Sequence, residues 1–199
     1  MIVDGPHFQA TDEGELVFLL TDGDNSRRPT EHDILEPDEE SPLRDNYYLR
    51  IPLEHRDSDR WRSEIAKYLA PLVLGATMGR LPWTLAAFPT GYELFLHKSP
   101  RPQGSAGSTL RRDFLLYGST DVPFFSSPLE FVRHAEWLMR GAHRTPDRSR
   151  APRCECKYCD VDGRNQKQSV ISRELRARRA RVLAQLGDGD ADADSDADA

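Results

Sequence analysis

Three cysteines within six residues constrain this chain more than any other feature: Cys154-Glu155-Cys156-Lys157-Tyr158-Cys159 holds every cysteine it has. An odd, clustered set makes a poor disulfide framework and a good metal cluster, so the pattern belongs to a reducing compartment, cytosol or nucleus. The C-x-x-C half lets a tight turn aim two sulfurs at one ion, and the C-x-C half brings a third from the residues just before. Zinc takes four ligands, about 2.3 Å from sulfur and about 2.0 Å from imidazole nitrogen. Lys157 offsets part of the thiolate charge. The plain alternative is a group of free thiols in a loop, which would be an oxidation liability. For the fourth ligand, spacing alone ranks His134 and His143 equally, with Asp160 or a partner chain further back. His134 also has a bland reading, as a boundary histidine beside Phe131 and Trp137.

Charge divides the chain into blocks. Residues 1–60 carry 16 acidic and 6 basic side chains, residues 61–187 carry 11 and 21, and residues 188–199 carry six aspartates and no base. A basic body between acidic ends points toward phosphate backbones. The acidic tail either screens that body, binds basic partners, or serves solubility alone. With 38% hydrophobic and 30% charged residues, the core must come from a sub-segment of the 199. The start MIVDGPHFQA does not read as a secretory signal, and no run of about 18 apolar residues suggests a membrane span.

The pattern predicts strands at 15–20, 47–51, 92–97, 113–117 and 122–125, with turn residues after the first and fourth. Residues 22–45, with Pro29, Pro37, Pro42 and many acids, read as a linker or long loop. Trp61, Ile65, Tyr68, Leu69 and Leu72 form a helical stripe that starts near Ser58 or Asp59 and that Pro71 should end or kink, with Gly75 as cap. Ser127-Pro128-Leu129-Glu130 is a strong helix start: Ser127 caps, Pro128 suits the first position and Glu130 completes a capping box. That helix turns Phe131, Val132, Ala135, Leu138 and Met139 inward and closes at Gly141. Residues 99–109 and 142–153 read as loops. Residues 169–186, with five arginines and one glutamate, form a helix with a thin stripe of Val170, Ile171, Leu175, Val182, Leu183 and Leu186. It reads slightly better as a solvated arm packed by that stripe than as a nucleic-acid arm.

Taken in order, Phe88-Pro89-Thr90-Gly91-Tyr92, Arg111 to Gly118, Phe124 to Pro128, Glu130-Phe131-x-x-His134-x-x-Trp137-Leu138 and Cys154-x-Cys156-Lys157-x-Cys159 form a composite pattern. Over about residues 45–160 it resembles the amino-terminal domain of the fungal cryptic loci regulator, transcription-silencing proteins. The resemblance implies a heterochromatin role within complexes that carry histone deacetylase and remodelling activities, hence the nucleus. It also implies His134, in the helix before Trp137-Leu138, as the fourth ligand. More distantly the stretch is similar to methyl-CpG-binding domains, which read DNA with two arginine fingers. Here the finger positions are Phe125 and the neighbourhood of Ser99, which lack the bidentate donors that guanine needs. Contacts to the DNA backbone through Lys98, Arg101, Arg111 and Arg112 remain open.

The expected fold is α+β: a small antiparallel sheet packed by helices and closed by a structural zinc site, with a disordered acidic tail. The expected divisions are an acidic, partly disordered segment with one candidate strand at 1–44, the silencing-protein-like domain at 45–160, a basic helix at 161–186 and the tail at 187–199. The expected function is a non-catalytic chromatin factor that binds DNA or nucleosomes weakly and without methyl-CpG specificity. The alternative is a protein-interaction module docked on a silencing complex. No H-E-x-x-H, Gly-rich phosphate loop or nucleophile elbow is present, and three thiolates plus an imidazole close a zinc site rather than open it.

Overall fold

The computed structural model describes residues 3–5, 7–35, 45–75, 82–100, 110–141, 154–159 and 167–187. Among the described residues, two four-stranded sheets and three helices make an α+β body. The first sheet runs β1 (Val3–Gly5), β2 (Phe8–Ala10), β3 (Glu15–Phe18) and β6 (Thr84–Leu85). The second runs β4 (Ile34–Leu35), β5 (Tyr47–Ile51), β7 (Glu93–Pro100) and β8 (Leu110–Tyr117). Neither is purely antiparallel, because β3 pairs with β6 and β4 with β5 in parallel. The expected single antiparallel sheet is thus two mixed ones. The short β1, β2, β4 and β6 have too few residues for a periodicity to show.

Helix α1 (Arg56–Val73) begins two residues before the expected start, with His55 as N-cap accepting from the Asp57 amide. Its stripe of Trp61, Ile65, Tyr68, Leu69 and Leu72 is buried. Pro71 neither ends nor breaks it. The proline lies in the last turn, so its missing N–H removes one ladder bond while Leu72 still reaches the core. Gly75 follows with φ 77°, a cap conformation that other residues resist. Arg62 secures β6 to this helix by donating to the carbonyls of Leu85 and Ala86 at 2.7 and 2.9 Å.

The expected strand at 15–20 shortens, since pairing with β2 ends at Phe18 and Leu19 turns 46% exposed. The expected strand at 122–125 reduces to one bridge, Leu116 with Phe125. The 22–45 linker is in part a packed segment: β4 lies in it, and Gly23 forms a bridge with Ser119. Helix α2 (Pro128–Met139) starts on Ser127 as expected and buries Phe131, Val132, Ala135, Leu138 and Met139. Helix α3 (Gln168–Gly187) packs through Ile171 and Leu175, while Leu183 is 37% exposed. The main core joins α1, α2, both sheets, Cys154, Cys156 and the start of α3. A smaller cluster of Phe95, Leu115 and Tyr117 covers the other face of the second sheet.

Candidate metal centre

Helix α2 is apolar enough to bury its whole inner face, and that burial carries His134 inward to full enclosure. Phe125, Phe131 and Trp137 surround the ring at centroid distances of 5.2, 6.0 and 5.3 Å. The cysteine turn packs against this same patch, with Cys154 and Cys156 buried and Cys159 half-buried. Nδ1 of His134 lies 3.4 Å from Sγ of Cys154 and 3.7 Å from Sγ of Cys159. Ligand atoms of all four residues lie within 4.8 Å of one another. For zinc with its usual bond lengths and tetrahedral angles, a nitrogen and a sulfur ligand stand about 3.6 Å apart. The donor set therefore fits such an ion. His143 and Asp160, the other ligand candidates, lie outside the described residues.

The three thiols lie close enough to shift one another's pKa values. Hydrogen bonds with Cys154 and Cys159 hold the Cys156 thiol far below its ordinary value, with help from His134. Hydrogen bonds with Cys156 and Cys159, with burial, push Cys154 far up. The Cys154 contact would lower Cys159, but Cys156 and burial outweigh it and leave Cys159 raised. Metal ligation requires all three sulfurs as thiolates, and a divalent ion would compensate that charge.

On its other side His134 meets Asp22, whose Oδ2 is 3.2 Å from Nε2. Burial would lower the histidine's pKa, but hydrogen bonds to Asp22, Cys156 and Cys159 raise it well above the ordinary range. Burial would likewise raise Asp22, and the His134, Tyr92 and Ser119 contacts overcome that and lower it. Sequence reasoning missed Asp22 because it lies 112 positions from His134 in a polar, acidic stretch. The turn signal Thr21-Asp22-Gly23-Asp24 was the single hint. Tyr92, read as a strand start and as the last residue of the Phe88–Tyr92 run, donates to Asp22 and has its own hydroxyl pKa pushed far up by burial and by that carboxylate.

Glu130 ties the cysteine turn to the start of α2. Its Oε2 accepts from the Ser126 amide at 2.7 Å, the Ser126 hydroxyl at 2.8 Å and the Tyr158 hydroxyl at 3.0 Å, and Lys157 stands 3.3 Å from Oε1. The capping box forms, displaced by one residue: Ser127 Oγ accepts from the Glu130 amide, while Glu130 returns to Ser126 rather than to the cap itself.

Of the basic residues expected at DNA, Lys98, Arg111 and Arg112 lie at the far end of the β7–β8 hairpin. Lys98 is paired directly with Arg112, and Ser99 with Arg111. Arg111 is 63% exposed and holds Asp113 at 2.6 Å, while Lys98 lies 5.2 Å over the Tyr47 ring. Arg101 lies outside the described residues. Phe125, at one finger position of the methyl-CpG pattern, is fully buried against His134.

Fold and site together define a small α+β module that brings one histidine and three cysteines within metal-binding distance of one another. Residues 83–159, the segment that holds all four donors and the hairpin, match the transcription-silencing protein family, cryptic loci regulator Clr2. A solved structure of Clr2 bound to the Clr1 C-terminus is similar over 82% of this chain, with 17% identity and a TM-score of 0.50, a likeness of fold. The chain spans 33% of that protein's length. No curated protein matches the sequence. No helix among the described residues is long and apolar enough to cross a membrane.

Proposed function

We propose that this chain is a non-catalytic module of nuclear transcriptional silencing, held together by structural zinc on His134, Cys154, Cys156 and Cys159. The observation that carries it is the coincidence of the silencing-family match with the segment supplying the whole donor set. Zinc there would neutralise thiolates and fix the cysteine turn on α2. With four protein ligands it would offer no open position to a substrate. Metal analysis of protein purified without added zinc tests this; the expected ratio is one zinc per chain. A ratio far below one in folded protein would refute it.

Chromatin contact through the hairpin end is the reading the charges favour. Lys98 and Arg112 face each other across the ladder beside exposed Arg111. Such a pair meets phosphates but, without a fork aimed at base edges, reads no sequence. Binding to duplex DNA or nucleosomes would be weak and salt-sensitive, and indifferent to CpG methylation. The second reading, docking onto a silencing complex through protein contacts alone, draws on the solved Clr2 structure being a complex with Clr1. Anisotropy with a labelled duplex at low salt separates the two. Absence of binding, even after removal of residues 187–199, leaves the protein-docking reading.

A further inference from the structure

Asp22 is 7% exposed in its side chain, and both of its oxygens are engaged. Tyr92 donates to Oδ1 at 2.6 Å, and Ser119 donates to Oδ2 at 2.8 Å. His134 Nε2 stands 3.2 Å from Oδ2 and 3.1 Å from the Tyr92 hydroxyl oxygen. A carboxylate only accepts. The Tyr92 proton is already committed to Oδ1, so toward His134 that hydroxyl is an acceptor too. Both neighbours therefore require a proton on Nε2, so when the ring is neutral, as a metal ligand must be, it is Nδ1 that presents its lone pair to the sulfurs.

The segment around Asp22 has other anchors, all of them modest. Thr21 donates to the Thr90 carbonyl at 2.7 Å, the Asp24 amide donates to Gly118 at 2.8 Å, and Gly23 bridges Ser119. Gly91, at φ 88°, lets the chains touch: a Cβ there would lie 2.9 Å from the Gly23 carbonyl carbon. Each of these is a neutral hydrogen bond of modest net worth. The Asp22 carboxylate carries the segment's connection to the buried donor set, through His134.

We infer that Asp22 is the positioning residue of the metal centre, and that through it metal loading and docking of residues 21–24 are one coupled event. This rests on the zinc reading above. A carboxylate behind a ligating histidine fixes the tautomer and ring orientation, and its loss typically weakens metal binding about 10–100-fold. Linkage is reciprocal: whatever factor Asp22 gives to zinc affinity, zinc gives to the docked state of its segment.

The test uses the full chain as wild type, Asp22→Asn and Asp22→Ala. Zinc affinity is measured by competition with a chromophoric chelator, and the Asp24 amide is followed by hydrogen exchange with and without zinc. Cobalt(II)-substituted protein supplies an absorption spectrum of the ligand field. Wild type should bind one zinc, and Asp22→Ala should bind about 10–100-fold more weakly with an altered cobalt spectrum. Asp22→Asn, which keeps a neutral acceptor, should fall between. Stripping zinc should speed Asp24 exchange in wild type but not in Asp22→Ala. If Asp22→Ala does not fold, Asp22→Asn decides alone, and wild-type affinity and spectrum in it overturn the inference. If wild type takes zinc while every variant matches it and Asp24 exchange ignores the metal, this inference falls and the zinc reading stands. If wild type takes no zinc, both fall.

Discussion

The hydroxyl of Tyr158 lies 3.0 Å from the carboxylate of Glu130, so a residue inside the cysteine turn is bonded to the first turn of α2. The donors are thereby placed twice over: the apolar face of α2 delivers His134, and Glu130 delivers the turn that carries the sulfurs. Replacing Glu130 with Ala leaves the Ser126 amide and the Tyr158 hydroxyl without their acceptor. Hydrogen bonds to charged groups are worth about 1.5–3 kcal/mol each, so for the two a loss of about 3–6 kcal/mol is expected in urea unfolding of the zinc-loaded chain. A change below about 0.5 kcal/mol, the range of ordinary surface substitutions, would show that the link is not structural.

The same residue gives a pH dependence. Burial would raise the Glu130 pKa, but the Ser126 hydroxyl and amide, Tyr158 and Lys157 outweigh it and leave the pKa below its ordinary 4.5. A carboxyl depressed in the folded state adds stability that is fully present above its unfolded pKa and is lost as pH falls through the folded value. The stability gap between wild type and Glu130→Gln should therefore hold from pH 7 to about pH 5, then narrow below about pH 4.5. A gap that stays constant down to pH 3 would assign the effect to shape rather than charge.

Cysteine substitution should be severe. Metal binding at a structural site is folding free energy, and each kcal/mol moves the midpoint of a domain this size by about 2–4 °C. Cys156→Ser should lower the melting temperature by about 10 °C or more and remove the response to a chelator. Equal melting of wild type and variant, each with and without chelator, would contradict a structural metal.

Phe125 lies at the centre of the core, 5.0 Å from Phe131, 5.2 Å from His134 and 5.8 Å from Tyr158. Phe125→Ala should cost about 3–5 kcal/mol, the usual range for truncating a buried phenylalanine. Phe125→Arg should cost at least as much and confer no preference for methylated CpG, because that side chain points at the metal centre. A folded Phe125→Arg variant that does select methylated DNA would reverse this assignment.

On DNA, Lys98→Ala with Arg112→Ala should reduce the slope of log affinity against log salt by about 1.8, since each phosphate that a cation no longer neutralises removes about 0.9. Methylated and unmethylated duplexes should weaken equally. An unchanged slope would move the DNA-binding surface away from the hairpin.

The sequence by itself determined the local pieces. Ser127, Pro128 and Glu130 define the start of α2, and Gly141 its end. The spacing of Trp61, Ile65, Tyr68, Leu69 and Leu72 defines α1, and the C-x-C-x-x-C run marks the donors. Those signals are short-range, written in caps, periods and turns that a few neighbouring residues specify. Spacing left His134 and His143 equal, and it was the family pattern that singled out His134. Only the tertiary structure decided that His134 Nδ1 comes within 3.4 Å of a cysteine sulfur while Asp22 takes the other ring nitrogen. It also decided that Pro71 stays within its helix, that Phe125 bridges rather than forms a strand, and that the polar 22–35 stretch folds back onto the body. These outcomes depend on pairings between residues up to 112 positions apart. Periodicity and propensity carry no record of which distant surface a polar side chain will meet. Burial makes the choice: a carboxylate enters the core only where partners such as His134, Tyr92 and Ser119 offset its desolvation.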